Sequence, residues 1–295
     1  MKPLRAPHAI SLPPVRANVG VRVAYERELV NLIRQMHEDM MKTITSIYPD
    51  IPGIAQGAPS VKQLHDAMEK MAKEWRKRFE QHAKAISEGF ATGTLKSTDF
   101  AFRKGLQDAG FTVKFQMPKT LKNSIDGIVS ENVGLIKSIA SEHLSNVQGA
   151  VIRSVNAGRS MKSLTEELGE IVTLKQKKGE SDKSLAARVR RRAAFIARDQ
   201  NNKATAMIHR ARQKEMGIEK ARWIHSNASV HPREEHAEWS DEGRTYNVDE
   251  GMWSDVSGEF VWPGSDFNCG CVSASYIPGF DDKEDEGEEV EESAA

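Results

Sequence analysis

Apolar residues recur at spacings of three and four along residues 19–47, and this periodicity predicts a long amphipathic helix. The stripe consists of Leu29, Leu32, Ile33, Met36, Met40, Ile44 and Ile47. Two prolines and a glycine in Tyr48–Gly53 predict that this helix ends there. A second stripe over residues 60–92 predicts a partner helix, so that the two form a helical hairpin. A shorter helix is predicted from Ser97 to Ala109.

Residues 116–217 carry further helical patterns. A stripe of apolar residues predicts a long helix that begins near Met117–Pro118 and ends at Gly158. Ser163, with Glu166 three residues later, has the spacing of a capping box and predicts a short helix. Ser184 is predicted to cap a last long helix, which ends at Gly217.

The pattern changes after Gly217, where apolar residues fall in short runs between Gly, Pro, Asn and Asp and predict short strands. The predicted fold class is therefore a mainly α N-terminal part, with long helices and a helical hairpin, followed by a small α+β C-terminal module with short strands. The predicted segments are a flexible arm (1–18), a helical docking region (19–115), a second helical block (116–217), a compact α+β module (218–280) and a disordered acidic tail (281–295).

Charge is distributed unevenly, although the formal net charge of the 295 residues is zero. Residues 281–295 contain nine acids and one lysine, which predicts a tail that either adds solubility or occupies a basic surface until a partner displaces it. No apolar run approaches the ~20 residues that span a bilayer, and the first residues lack the apolar core of a secretory signal. We therefore expect no membrane segment, and initial action in the cytoplasm where the chain is made.

The chain's two cysteines, Cys269 and Cys271, are separated by one residue. Reduced thiols are expected, because side chains two positions apart diverge and a bridge between them would be strained. Thiolate and imidazole groups suit a structural zinc ion with four ligands. The predicted ligands are Cys269, Cys271 and His236, with the fourth supplied by His231, His225 or Asp241. The alternative is that both thiols are small buried apolar groups and His236 makes a structural hydrogen bond.

Several motifs, taken in order, resemble the phage Mu F-like minor head proteins, a head morphogenesis family of tailed bacteriophages. They are Glu131–Ala140, Val151–Ser160, Arg192–Lys203, Met216–Trp223, Arg233–His236 and Pro263–Cys271. The resemblance covers roughly residues 125–277 and makes residues 116–217 the helical part of a Mu F-like domain. Within these motifs, the candidate structural residues are Arg233, Trp223, Asn268 and Gly264.

The resemblance implies a minor capsid protein that resides in the virion head and acts by binding, without an enzymatic reaction. It implies binding at the portal vertex during procapsid assembly, with an oligomer at that vertex. The implied partners are the portal protein, the scaffold or the major capsid protein, and the implied later roles are DNA packaging, retention or ejection. We expect the apolar stripes of residues 19–47 and 60–92 to contact the portal protein, the scaffold or another copy of this chain.

A basic stretch on the last long helix is a candidate surface for non-specific DNA contact through phosphate neutralisation. Its residues are Arg188, Arg190, Arg191, Arg192 and Arg198. The alternatives are a solvated helix face and a patch that pairs with the acidic tail.

Two other functions remain open at the level of the residues. One is a metal-dependent nuclease or hydrolase acting on DNA, with a catalytic metal held by His231, Glu235, His236 and Asp241. The other is a DNA-binding module without catalysis. The chain has neither the Gly-x-x-x-x-Gly-Lys phosphate loop nor the Gly-x-Ser-x-Gly nucleophile motif, which favours binding over catalysis.

Overall fold

The structure is a computed structural model that describes residues 10–47, 61–157, 161–168, 184–226 and 233–277. These residues are mostly helical and end in a small region of short antiparallel strands, which confirms the predicted fold class. They divide into two compact units built from interleaved segments. Unit 1 draws on the described parts of 1–17, 95–122 and 205–295, and unit 2 draws on those of 18–94 and 123–204.

Six helices and six strands occur within the described ranges. In chain order they are β1 (Ile10–Ser11), α1 (Val19–Ile47), α2 (Val61–Asp108), α3 (Lys119–Asn156), α4 (Met161–Leu168), α5 (Leu185–Glu215), β2 (Lys220–Ile224), α6 (Glu234–Asp241), β3 (Thr245–Asn247), β4 (Met252–Ser254), β5 (Glu259–Val261) and β6 (Val272–Ile277). None of these helices combines the length and the apolarity that a bilayer crossing requires.

The helix α2 is longer than predicted. The prediction of a separate helix from Ser97 to Ala109 is wrong, because α2 runs unbroken from Val61 to Asp108. Gly93 lies within this continuous helix, since a lone glycine costs a helix only ~1 kcal/mol without interrupting its backbone hydrogen bonds. Gly110, with φ 90°, adopts the left-handed conformation that follows the helix end.

The ends of α5 follow local sequence signals. The hydroxyl oxygen of Ser184 accepts a 3.0 Å hydrogen bond from the backbone N–H of Ala187, and Gly217 follows the helix with φ 68°. These are the predicted N-cap and C-terminal glycine. The capping-box prediction at Ser163 is wrong, since α4 begins two residues earlier, at Met161.

Apolar residues from the stripes of the first two helices pack in the core of unit 2. Met36, Met40 and Ile44 of α1 are fully buried, and the rings of Tyr25 and Phe90 stack with centroids 4.4 Å apart. Our expectation that these stripes contact a partner is therefore wrong for the stripe residues that the structure shows as buried, because they pack inside the unit. Burial of these side chains within the chain supplies the stabilisation that docking would otherwise supply.

A buried chain of hydrogen bonds links three helices of unit 2. The hydroxyl of Tyr25 donates to Oδ1 of Asn132 at 2.7 Å, and Nδ2 of Asn132 donates to Oε1 of Gln200 at 3.0 Å. Gln200 in turn donates to Glu131 at 2.9 Å. Because an unpaired polar group here would be costly, the chain fixes the relative register of α1, α3 and α5.

The sheet of unit 1 has the strand order β1-β6-β2-β3, with every pair antiparallel. Its edge strand corrects the prediction that residues 1–18 form a flexible arm. Ile10 pairs with Ile277, and Leu12 and Val15 are buried in a cluster with Phe102. The prolines of this segment do not prevent the pairing, because the last backbone bond of the ladder comes from the N–H of Leu12, before Pro13. Residues 1–9 lie outside the described ranges.

The last turns of α5 anchor the sheet and its loops. Nε2 of Gln213 donates to the hydroxyls of Ser273 and Ser275 on β6, at 3.0 and 2.8 Å. The guanidinium of Arg210 lies 3.6 Å from the ring centroid of Trp262, and its Nε donates to the carbonyl of Val248. The long helix thus holds the loops between β3 and β6, which include both cysteines.

Candidate metal centre

His236, Cys269 and Cys271 meet in the interior of unit 1. Nδ1 of His236 lies 3.7 Å from Sγ of Cys269 and 3.8 Å from Sγ of Cys271. All three side chains are buried, and their candidate ligand atoms lie within 4.8 Å of one another. In a tetrahedral zinc site, with Zn–S about 2.3 Å and Zn–N about 2.0 Å, nitrogen and sulfur are about 3.5 Å apart. The two observed distances fit two edges of such a tetrahedron.

Local backbone geometry places these three side chains. His236 lies in the first turn of α6, and the two cysteines directly precede β6. The loop before the cysteines contains two left-handed residues, Gly264 with φ 82° and Asn268 with φ 56°. Glycine adopts this conformation without strain, and asparagine tolerates it better than most residues. Arg233 donates from Nη2 to the carbonyl of Phe267 at 3.0 Å and so ties the start of α6 to the same loop.

Aromatic rings enclose the imidazole. The fully buried Trp223 on β2 meets His236 edge to face, with centroids 4.7 Å apart, and meets Trp239 in the same way at 4.8 Å. Trp239 stacks on His236 with centroids 5.3 Å apart. These rings keep water from one side of the cluster and hold the imidazole orientation. Sequence reasoning identified Trp223 but missed Trp239, whose signal is its position one helical turn after His236.

The two thiols do not ionise equally. A hydrogen bond from Cys271 lowers the pKa of Cys269 against the opposing effect of burial, and bonds from His236 and from the backbone N–H groups of Cys271 and Gly264 add to the lowering. The same pairing with Cys269, together with burial, raises the pKa of Cys271. One sulfur therefore carries negative charge more readily than the other, and a metal cation would allow both to be thiolates.

The indole N–H of Trp223 supports this fit. It is buried and makes no hydrogen bond of good geometry. It nevertheless lies close enough to the sulfur of Cys271 to lower the pKa of that thiol. A thiolate at Cys271 would give the orphaned donor the acceptor that it lacks.

Asp266 lies at the edge of the imidazole ring that points away from the two sulfurs. Its Oδ2 lies 3.6 Å from Nε2 of His236, on the ring nitrogen opposite the one that faces the sulfurs. Histidine ligands commonly direct their second nitrogen at a carboxylate, which fixes the tautomer and orients the ring. Sequence reasoning missed Asp266, although its place three residues before Cys269 is a usable signal.

Among the residues that the structure describes, the one cluster of three or more candidate ligands is His236, Cys269 and Cys271. His231 lies outside the described residues, and His225 and Asp241, the other predicted fourth ligands, are not in the cluster. Glu235, predicted for a catalytic metal, instead accepts hydrogen bonds from the Ser254 hydroxyl and the Asp255 backbone, both at 2.7 Å. The described residues therefore do not assemble the predicted hydrolase set.

The basic stretch of α5 is divided between two faces of the helix. Arg188, Arg191 and Arg198 are exposed, as the DNA-contact hypothesis requires. Arg190 is only 5 % exposed, so its assignment to a DNA-contact surface is wrong. The 100° step between helical residues turns it toward the unit's core, away from its neighbours. Arg192 is exposed but forms an ion pair with Glu142.

The comparisons with known proteins agree with the motifs. Residues 145–274 match the family model described as Phage Mu protein F like protein. This segment is similar to the Mu F-like family, which confirms the predicted resemblance. The matched range begins within α3, includes α5 and ends within β6, so it contains all three candidate ligands.

The chain is also similar to a protein of Haemophilus influenzae (strain ATCC 51907 / DSM 11121 / KW20 / Rd) described as an uncharacterized protein. The two are 27 % identical over 282 residues, and the match covers 92 % of this chain. It covers 56 % of the relative, so this chain spans little more than half of the relative's length. No solved structure matches the chain.

Proposed function

We propose that this chain is a minor capsid protein of a tailed phage that binds at the portal vertex during procapsid assembly. The observation that carries the proposal is the match of residues 145–274 to the Mu F-like family. The likeness to the Haemophilus protein extends over 92 % of this chain, so it includes the helices before the matched segment as well. The partners proposed are the portal protein, the scaffold or the major capsid protein.

Binding, rather than turnover, is the mode of action that the geometry favours. The three candidate ligands are buried, and two tryptophan rings cover the imidazole. A catalytic metal needs a position that is open to water or substrate, whereas a structural site is closed by protein ligands. The burial of the cluster supports the second kind, although the described residues supply three of the four ligands that such a site has.

Particle composition tests the proposed function. Purified virions and procapsids of the phage that carries the gene would be analysed by quantitative mass spectrometry, and the portal protein would be pulled down from assembling cells. We expect a few copies of the chain per particle, together with co-purification of the portal. Absence from both procapsids and virions would overturn the proposal.

We further propose that His236, Cys269 and Cys271 hold a structural zinc ion. Soft thiolates and imidazole are the ligand types that zinc prefers, and the distances from Nδ1 to each sulfur fit the ion's bond lengths. Bound zinc would neutralise two thiolates in the interior and would connect α6 to the start of β6. Its role would be stabilisation of the strand-rich part of unit 1.

Metal content tests the zinc site without any activity assay. Protein purified without chelators would contain about one zinc per chain, and Co(II) in its place would give the sulfur-to-metal charge-transfer absorption of thiolate ligands. Cys269→Ser and Cys271→Ser would remove both signals. His82→Gln is the matched control, because His82 is exposed and lies outside the cluster. Metal-free protein that also fails to bind Co(II) would rule out the site.

A further inference from the structure

The hairpin formed by β4 and β5 has two different faces. Its strands pair antiparallel, with Met252 opposite Val261 and Trp253 opposite Phe260. Val261 is buried and Met252 packs beside it against the core cluster that contains Trp223. Because side chains alternate along a strand, Trp253 and Phe260 lie together on the opposite, outer face. Their rings meet edge to face with centroids 5.2 Å apart.

This outer face is an exposed apolar patch. Trp253 is 50 % exposed, Phe260 is 51 % exposed, and Val256 in the connecting turn is 83 % exposed. Each half-exposed aromatic ring leaves about 100 Å² of surface in water. Single exposed apolar residues are ordinary, but an aromatic pair with an apolar turn beside it is typical of a contact surface. Tryptophan in particular is enriched among the residues that dominate binding energy.

The hairpin is held in place before any partner arrives. Glu235 of α6 accepts hydrogen bonds from the Ser254 hydroxyl and the Asp255 backbone N–H, both at 2.7 Å. The indole N–H of Trp253 donates to Oδ1 of Asp255 at 2.9 Å, which fixes the ring. A surface that is already ordered loses little conformational entropy when it binds.

The negative charge around the hairpin favours a protein partner over DNA or anionic lipid. Residues 233–277 contain ten acidic and two basic residues, and the acidic Glu250, Asp255 and Glu259 around the hairpin are all exposed. Such a surface repels DNA phosphates and anionic lipid. It complements a protein surface that carries lysine or arginine around an apolar pocket.

We infer that the outer face of the hairpin, made of Trp253, Val256 and Phe260, docks this chain to another protein of the phage head. The partner presents an apolar pocket with a basic rim, into which the aromatic pair inserts. The inference rests on the proposed function for the place where the partner is found. The chemistry of the contact rests on the hairpin itself.

Incorporation into particles tests the docking surface. The double variant Trp253→Ser/Phe260→Ser would be expressed in place of the wild-type chain, and its copies per particle would be counted by quantitative mass spectrometry. We expect at least a tenfold loss. Phe100→Ser is the matched control, because Phe100 is 70 % exposed on α2, and it should retain incorporation within twofold. Near-UV circular dichroism of both variants would verify that the Trp223 environment is intact.

A second arm uses charge and does not alter the aromatic pair. Glu250→Lys/Glu259→Lys should lower incorporation at least fivefold, whereas the exposed Glu74→Lys on α2 should not. A photo-crosslinking amino acid at position 256 should capture a head protein at a peptide that includes lysine or arginine, and the same probe at position 100 should not.

The outcomes separate this inference from the proposed function. Wild-type chain in particles, with the hairpin variants incorporated equally well, overturns the inference and leaves the proposed function standing. Crosslinks from position 256 to DNA alone also overturn it. Absence of the wild-type chain from particles overturns both.

Discussion

Two buried histidines, one in each unit, predict that the protein loses stability in mild acid. In unit 2, Nε2 of His143 lies 3.2 Å from Nδ1 of His37, and burial, with the nearby charges of His37 and Arg188, lowers the pKa of His143 to about 3. In unit 1, burial lowers the pKa of His209 to about 3. Nε2 of His209 has no hydrogen-bond partner within the described structure, and the ring packs edge-on against Phe102.

The sign and size of the effect follow from linkage. A histidine whose pKa is lower in the folded state takes up its proton first in the unfolded state. The free energy of unfolding therefore falls as the pH drops from 6.5, the ordinary value, toward about 3. Each histidine contributes ~1.4 kcal/mol per pH unit in this window. At pH 5 the loss is about 2 kcal/mol for each, against a typical total stability of roughly 5–15 kcal/mol.

His209→Phe isolates one of the two contributions. Urea unfolding would be followed at pH 7, 6, 5 and 4.5 for the wild type, for His209→Phe and for the exposed control His82→Gln. We expect His209→Phe to reduce the pH dependence by ~1.4 kcal/mol per unit. At pH 7 it should remain within about 1 kcal/mol of the wild type, because the variant deletes a buried nitrogen that makes no hydrogen bond. An unchanged pH dependence in His209→Phe would show that His209 does not resist protonation in the folded state.

Three further predictions concern charged groups and catalysis. Arg212 is 2 % exposed and donates two 2.7 Å hydrogen bonds to Asp99. Arg212→Met should therefore lower the free energy of unfolding, measured by urea titration, by roughly 3–5 kcal/mol. Lys104→Met removes an exposed ion pair with Asp108 and should have little effect. The second concerns three exposed arginines of α5, namely Arg188, Arg191 and Arg198. If all three contact phosphates, replacing them with glutamine should reduce the magnitude of the slope of log K for DNA binding against log salt concentration by about 2.7. Arg190→Gln should instead lower the free energy of unfolding and leave this slope unchanged. Plasmid incubated with the protein and Mg²⁺, Mn²⁺ or Zn²⁺ should remain supercoiled, and nicking that EDTA and His236→Ala both abolish would revive the nuclease hypothesis.

Local signals accounted for the parts of the fold that the sequence predicted well. The stripe of α1 and the caps of α5, Ser184 and Gly217, are decided within a few residues of where they act, so periodicity and turn chemistry identify them. The pairing of Ile10 with Ile277 joins residues far apart in the chain, and no local pattern encodes it. The burial of Arg190 depends in the same way on which face of α5 meets the rest of unit 2. The sequence shows which residue types could bind a metal. Their approach in space depends on the position of α6 and on the left-handed turn at Asn268, which the sequence alone did not predict.

The helix α6 connects the candidate metal centre to the proposed docking surface. His236 faces the two sulfurs, and the preceding residue, Glu235, accepts the two hydrogen bonds that hold the hairpin. Adjacent helical residues point about 100° apart, so one short helix serves both contacts. An eight-residue helix is marginal in isolation and depends on such tertiary anchors. If the proposed zinc is bound, removal of its candidate ligands would therefore free α6 and release Glu235 from Ser254. The hairpin would then loosen, although the candidate ligands lie outside β4 and β5. Faster amide exchange at β4 and β5 in Cys269→Ser than in His82→Gln is the expected sign of this coupling.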